Sequence, residues 1–174
     1  MTSSTQNVKV GVCRISFGGT DLGFTQGGVE VEVKTETHQV MVDQFGKSII
    51  NEIILGRTVS VKAPLAETTL QNLVSIMPGA TLVGTGSNMK VNVPVAVGQS
   101  LVKTAKQLIL HPKELPDADL SEDFCIPLAN TSGALQFAYQ LEKERIFNVT
   151  FNGYPDPVSG KLFSVGNETT SDPT

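Results

Sequence analysis

Residues 27–63 read GGVEVEVKTETHQVMVDQFGKSIINEIILGRTVSVKA, and this stretch decides the fold. Apolar and polar residues alternate strictly at both of its ends. The apolar positions are Val29, Val31, Val33, Val59, Val61 and Ala63. Alternation with period 2 predicts two strands, each with one face on a core and the other in water.

The connection between these strands, residues 38–55, is far longer than the usual hairpin loop of about 2–5 residues. It still contains strand-like pieces at 40–42 and 49–55, which are interrupted at 45–48. So much apolar content has to be covered, and a single domain offers no obvious cover for it. We therefore predict an extended arm that packs against another copy of the chain.

The rest of the chain also predicts strands. Alternating apolar residues mark strands near 8–17, 80–83, 89–97, 101–111, 124–129, 134–141, 145–151 and 161–165. Only one segment has helical spacing: Leu70, Leu73, Val74 and Met77 lie at i, i+3, i+4 and i+7, before Pro78 and Gly79. We predict a mainly β fold, a β-sandwich or barrel of eight to ten strands, with one flanking α-helix and a long β-hairpin arm.

Length and composition limit the classes of function that the chain can have. A chain of 174 residues predicts one domain, with polar tails at 1–7 and 167–174 that are flexible or bound to a partner. No run of about 18 apolar residues occurs, and the first ten residues lack the features of a signal peptide. These features predict residence in a cytoplasm without membrane insertion. A net charge of −4 argues against general phosphate binding, which needs clustered Lys and Arg.

We find no catalytic, cofactor or metal site in the sequence. Cys13, Cys125, His38 and His111 are scattered rather than spaced as metal ligands. The acidic segment 114–123 suggests a calcium loop at Asp117, but it lacks the required Gly and the closing Glu. We interpret it as a solvated loop.

The acidic face of the first strand in the 27–63 stretch has two equally good interpretations. Its residues are Glu30, Glu32, Lys34 and Glu36. They fit an ordinary solvent-facing strand. They also fit the water-filled lumen of a sheet closed across several subunits, where a wall without a ring of positive charge would let a polyanion slide through.

Five short strings give the chain a resemblance to the major tail tube proteins of tailed bacteriophages. The strings are DLGFTQGGVEV at 21–31, VDQFG at 42–46, VSVKAPLAETTLQNL at 59–73, FNGYPD at 151–156 and GKLFSVG at 160–166. The first has the pattern x-Leu-Gly-x-Thr-x-Gly-Gly-Val at the entry to the long hairpin. Residues 90–122 carry no string of this kind.

The resemblance implies a structural subunit, six to a ring, with rings stacked into a hollow tube that conducts DNA without reading its sequence. Glu30, Glu32, Lys34 and Glu36 would then face the lumen. The contact with the next ring would come from the arm, at His38, Val40, Val42, Asp43, Gln44, Phe45, Gly46, Lys47, Ile49 and Ile50. The implied partners are further copies and other tail proteins such as the tape measure, terminator and baseplate or tip proteins. The implied location is the virion tail, assembled in the host cytoplasm.

Two other functions stay open. The first is a monomeric β-sandwich that binds carbohydrate, although such modules display aromatic platforms and this chain has no Trp and two Tyr. The second is a small β-rich hydrolase that uses the carboxylates of Glu30, Glu32 and Glu36.

Overall fold

Ten strands and one α-helix make up the part of the chain that the computed structural model describes, residues 8–170. The strands are β1 Cys13–Phe17, β2 Thr20–Asp21, β3 Glu30–Met41, β4 Ile49–Leu65, β5 Thr81–Val83, β6 Lys90–Asn92, β7 Lys106–Pro112, β8 Phe124–Thr131, β9 Phe147–Tyr154 and β10 Ser164–Val165. The helix is α1, Leu70–Ile76. The predicted tail at 1–7 and the end of the other, 171–174, lie outside the described residues.

Eight strands form one antiparallel sheet in the order β2-β1-β7-β8-β9-β4-β3, with β10 paired to β8. A separate hairpin pairs β5 with β6. The large sheet curls. This is seen from the rings of Phe17 on β1 and Phe151 on β9, which lie 5.0 Å apart although two strands separate β1 from β9. The predicted fold class, a mainly β sandwich or barrel with one helix, is confirmed.

Alternation identifies the inward side chains of the central strands correctly. Val59, Val61 and Ala63 of β4 are buried, and so are Phe147, Val149 and Phe151 of β9. They pack in one core with Ile15 and Phe17. Val31 and Val33 face the same side but stay 42% and 43% exposed, because β3 is an edge strand with a neighbour on one side alone.

The helix begins and ends close to the predicted residues. Thr69 caps it by accepting a hydrogen bond from the N–H of Asn72 at 3.1 Å. Glu67 lies before the first turn of the helix and accepts the N–H of Phe24 at 3.0 Å. Asn72 is buried, and its amide donates to the carbonyls of Leu22 at 2.9 Å and Glu67 at 2.8 Å. One amide therefore joins the helix to two loops.

We expect Asn72→Ala to destabilise the fold by about 2–4 kcal/mol, because the buried carbonyl of Leu22 and the partly buried carbonyl of Glu67 lose their donor. Chemical denaturation of both proteins measures the difference. Gln71→Ala is the matched control, since Gln71 is the exposed neighbour on the same helix and should change stability by less than about 0.5 kcal/mol. Equal effects of the two substitutions would contradict this role for Asn72.

Several predicted strands are shorter than expected or missing. Residues 134–141 form no strand; they touch the sheet through the bridge between Gln136 and Asn148, and Leu141 is fully exposed. On one edge of the next strand, β9, the strand β8 pairs only from Phe151 to Tyr154, and the rest of that edge takes the single bridge at Asn148. The strands predicted at 8–17 and 89–97 shrink to Cys13–Phe17 and Lys90–Asn92. Val8, Val10 and Val12 are exposed.

Candidate assembly surfaces

Residues 38–55, which we call the arm, are a two-stranded ribbon rather than a long loop. Strand β3 continues to Met41 and β4 begins at Ile49, so the connecting loop is 42–48. Strand β9 pairs with β4 from Ser60 to Leu65, and the ribbon beyond has no third strand among the described residues. Every residue of β4 from 49 to 58 is exposed. An isolated ribbon of this kind has little stability of its own in water.

Two β-bulges make both faces of the arm apolar. Glu36 pairs with Gly56 and Thr37 with Ile54, which leaves Leu55 as an extra, unpaired residue in β4. A second shift in the register, nearer the tip of the arm, leaves Ile50 unpaired in the same way. The first bulge places Ile53 opposite His38, on the face that carries the acidic row, and Ile54 on the opposite face. Their side chains are 48% and 53% exposed. A ribbon with isoleucines on both faces cannot hide them by lying on its own body.

The arm ends in a tight turn that presents an aromatic ring. Residues Asp43–Phe45 form a 3-10 turn, and Gly46 follows with φ +62°, a conformation that glycine adopts without steric cost. The N–H of Ser48 donates to the carbonyl of Phe45 at 3.2 Å and closes the turn. The Phe45 side chain is 67% exposed. Val40 and Val42 are half-buried, and the other predicted contact residues are exposed.

The predicted lumen residues lie in one row on the ribbon. Glu30, Glu32, Lys34 and Glu36 are all exposed on the face opposite Val31 and Val33. Two ion pairs cancel most of their charge, Glu30 with Lys62 at 3.3 Å and Glu32 with Lys34 at 3.2 Å. Glu36 forms no ion pair within residues 8–170. The row is therefore polar but almost neutral.

The outer edge of β3 has no hydrogen-bonding partner strand within the described range. This edge is twelve residues long and contains neither proline nor glycine. Long unpaired edges are templates for pairing with another chain unless charged side chains, bulges or a covering segment protect them. Sequence reasoning missed this edge. It placed 38–55 in the predicted arm but named no contact residue beyond Ile50, which left out Ile53, Ile54 and Leu55. The strand-like pattern at 49–55 was the available signal for those three.

The histidines and cysteines are scattered: His38 lies on the arm, whereas His111, Cys13 and Cys125 lie in the body. The buried ring of His111 contacts Asp123 through Nδ1 at 2.6 Å and the Leu115 carbonyl through Nε2 at 3.4 Å, so both nitrogens are engaged. Sequence reasoning treated His111 as a lone residue and missed this pair. Burial raises the pKa of the Cys13 and Cys125 thiols, which disfavours the reactive thiolate.

The acidic segment 114–123 uses its carboxylates in contacts within the chain. Asp117 pairs with Arg14 at 3.1 Å, and Asp119 accepts the N–H of Ser121 at 3.1 Å. Within residues 8–170 no three His, Cys, Asp or Glu side chains are grouped as metal ligands. Nor does any helix in that range combine the length and apolar character that a membrane crossing requires.

Comparison with known proteins leaves the family open. No protein-family model matches the chain, and no curated protein matches it significantly.

Proposed function

We propose that this protein is the structural subunit of a bacteriophage tail tube, assembling into rings that stack around a channel for DNA. The observation that supports it most is the arm, which projects from the sheet with apolar side chains on both faces. In the single chain, four apolar side chains of the arm stay exposed to water: Phe45, Ile49, Ile53 and Ile54. Association of copies would remove them from water, and the hydrophobic effect would drive that association.

The free edge of β3 supports the same proposal. A second copy could extend the sheet by strand addition along Glu30–Met41, and head-to-tail repetition of one such contact closes into a ring. The ring size of six follows from the resemblance to tail tube proteins. Further partners under this proposal are the tape measure, terminator and baseplate or tip proteins. The protein would reside in the virion tail after assembly in the host cytoplasm.

The row of Glu30, Glu32, Lys34 and Glu36 suits a channel wall. Its two ion pairs leave the surface hydrated and close to neutral, so it neither holds phosphates by clustered cations nor repels them strongly. DNA would pass without sequence-specific contacts. The proposal assigns the protein no catalysis, cofactor or metal.

A monomeric carbohydrate-binding module is the second candidate, and one residue favours it. Tyr139 is 77% exposed, as an aromatic platform for a sugar would be. Its ring already contacts the Arg145 guanidinium at 5.5 Å and the edge of Phe137 at 5.6 Å. These contacts support a role in fastening segment 134–146 to the body, which makes the tube subunit the better proposal.

Electron microscopy and light scattering of the purified protein test the proposal. We expect rings or tubes whose mass rises with concentration above the 18.5 kDa of the single chain. A uniform monomer over the whole concentration range, with the arm protected from hydrogen exchange, would rule the proposal out.

A further inference from the structure

An apolar groove opens where the curled sheet fails to close on itself. On one side lie Val29 and Val31 at the start of β3, and on the other Val10 and Val12, which lead into β1. Leu110 and Phe124 also line it, and its volume is about 410 Å³. The groove persists because β3 and β1 form no ladder with each other.

We infer that the groove receives the tip of the arm from a second copy, with Phe45 against its apolar lining. This inference rests on the proposed function, and it names the surface that the arm contacts. The arm of the same chain contributes no residue to the groove. The Phe45 that we place there therefore belongs to a second copy.

Phe45 is the best match among the exposed aromatic side chains of residues 8–170. Phe24 and Tyr139 are also exposed, but the cations of Lys113 and Arg145 lie over their rings at 5.3 Å and 5.5 Å. The ring of Phe45 contacts neither another aromatic ring nor a cation within the described residues. The exposed valines at 93–97 offer no aromatic ring, and Ala96 at φ +50° breaks their extended path.

Charges at the two surfaces are complementary. Glu114 lies at the groove and accepts the N–H of Val10 at 3.2 Å, without an ion pair in the described part of the chain. At the arm tip, Lys47 stands two residues after Phe45 and likewise has no ion pair there. Docking of Phe45 brings Lys47 towards Glu114. The other groove carboxylate, Glu122, already pairs with Lys9.

A native cysteine gives a direct test, because Cys13 lines the groove. In assembled Phe45→Cys protein, mild oxidation should link chains through a disulfide between the introduced thiol and Cys13, identified by mass spectrometry of the linked peptides. The product should disappear in the double variant with Cys13→Ser. Val158→Cys, which puts a thiol on an exposed turn elsewhere, is the matched control and should give no link to Cys13.

A charge exchange provides the second measurement in case Phe45→Cys no longer assembles. Lys47→Glu and Glu114→Lys should each raise the critical concentration for assembly about fivefold, and the double variant should restore it to within about twofold. Lys103→Glu, at an exposed turn of the body, should leave it unchanged.

The outcomes separate this inference from the proposed function. Tubes in which the introduced thiol links elsewhere, or not at all, would overturn the docking and leave the tube subunit intact. A double charge variant whose critical concentration is no lower than those of the two single variants would also overturn the docking and leave the tube subunit intact. A wild-type chain that never assembles would overturn both.

Discussion

Replacing residues 37–55 by the dipeptide Asn-Gly yields a folded monomer that forms neither rings nor tubes. Glu36 and Gly56 face each other in the ladder, so a two-residue turn can join them without disturbing the strands below. None of the removed residues is buried in the single chain. The midpoint of thermal unfolding should therefore stay within a few degrees of wild type.

Assembly should respond very differently to the same deletion. The arm supplies the apolar side chains that we expect at the interface, and loss of such a cluster typically costs more than about 2 kcal/mol of binding. We expect the critical concentration to rise at least about 30-fold, measured by light scattering and electron microscopy. Circular dichroism verifies that the body remains folded.

A matched pair of triple variants separates arm length from arm chemistry. Ile49, Ile53 and Ile54 all changed to Ser should abolish assembly while the arm keeps its length. Thr37, Gln39 and Asn51 all changed to Ser should preserve it, because these exposed side chains are polar to begin with and lie outside the predicted contact set. If the shortened protein forms tubes as the wild type does, the arm is not the assembly element.

Phe151→Ala should destabilise the body more than any other single substitution considered for this chain. Phe151 is fully buried at the centre of β9 and contacts the ring of Phe17, which holds two separated strands of the curled sheet together. Truncation of a buried Phe removes apolar contacts and leaves a cavity, at a cost of about 3–5 kcal/mol. Single domains are stable by only about 5–15 kcal/mol, so much of the stability would be lost.

Urea denaturation at low protein concentration, where assembly does not contribute, measures this effect. In a separate thermal melt under the same conditions, the midpoint temperature should fall by roughly 10 °C or more. Phe45→Ala is the control, because it removes the same atoms from an exposed position and should change stability by less than about 0.5 kcal/mol. A small effect at Phe151 would mean that the core repacks around the missing ring.

Neighbouring residues in the sequence were enough to predict most elements and the inward side of the central strands. Val59, Val61 and Ala63 alternate with polar residues, and a strand can bury one of its faces alone, so the pattern identifies the buried face without knowledge of its partner. The helix at 70–76 follows from its apolar spacing and from the Pro-Gly pair beyond it for the same reason. The acidic row and the apolar arm were likewise visible as patterns.

Features that depend on which strands meet were decided by the tertiary structure. Alternation at 134–141 predicted a strand, but this segment meets β9 at one bridge, Gln136 with Asn148, because β8 takes the same edge of β9 from Phe151 onward. The bulge at Leu55 depends on the register between β3 and β4, and that register turns Ile53 and Ile54 to opposite faces. The contact of His111 with Asp123 depends on the register of β7 and β8, in which Leu110 pairs with Phe124. The groove between β1 and β3 arises only when the sheet curls, because curling brings together residues that are distant along the chain.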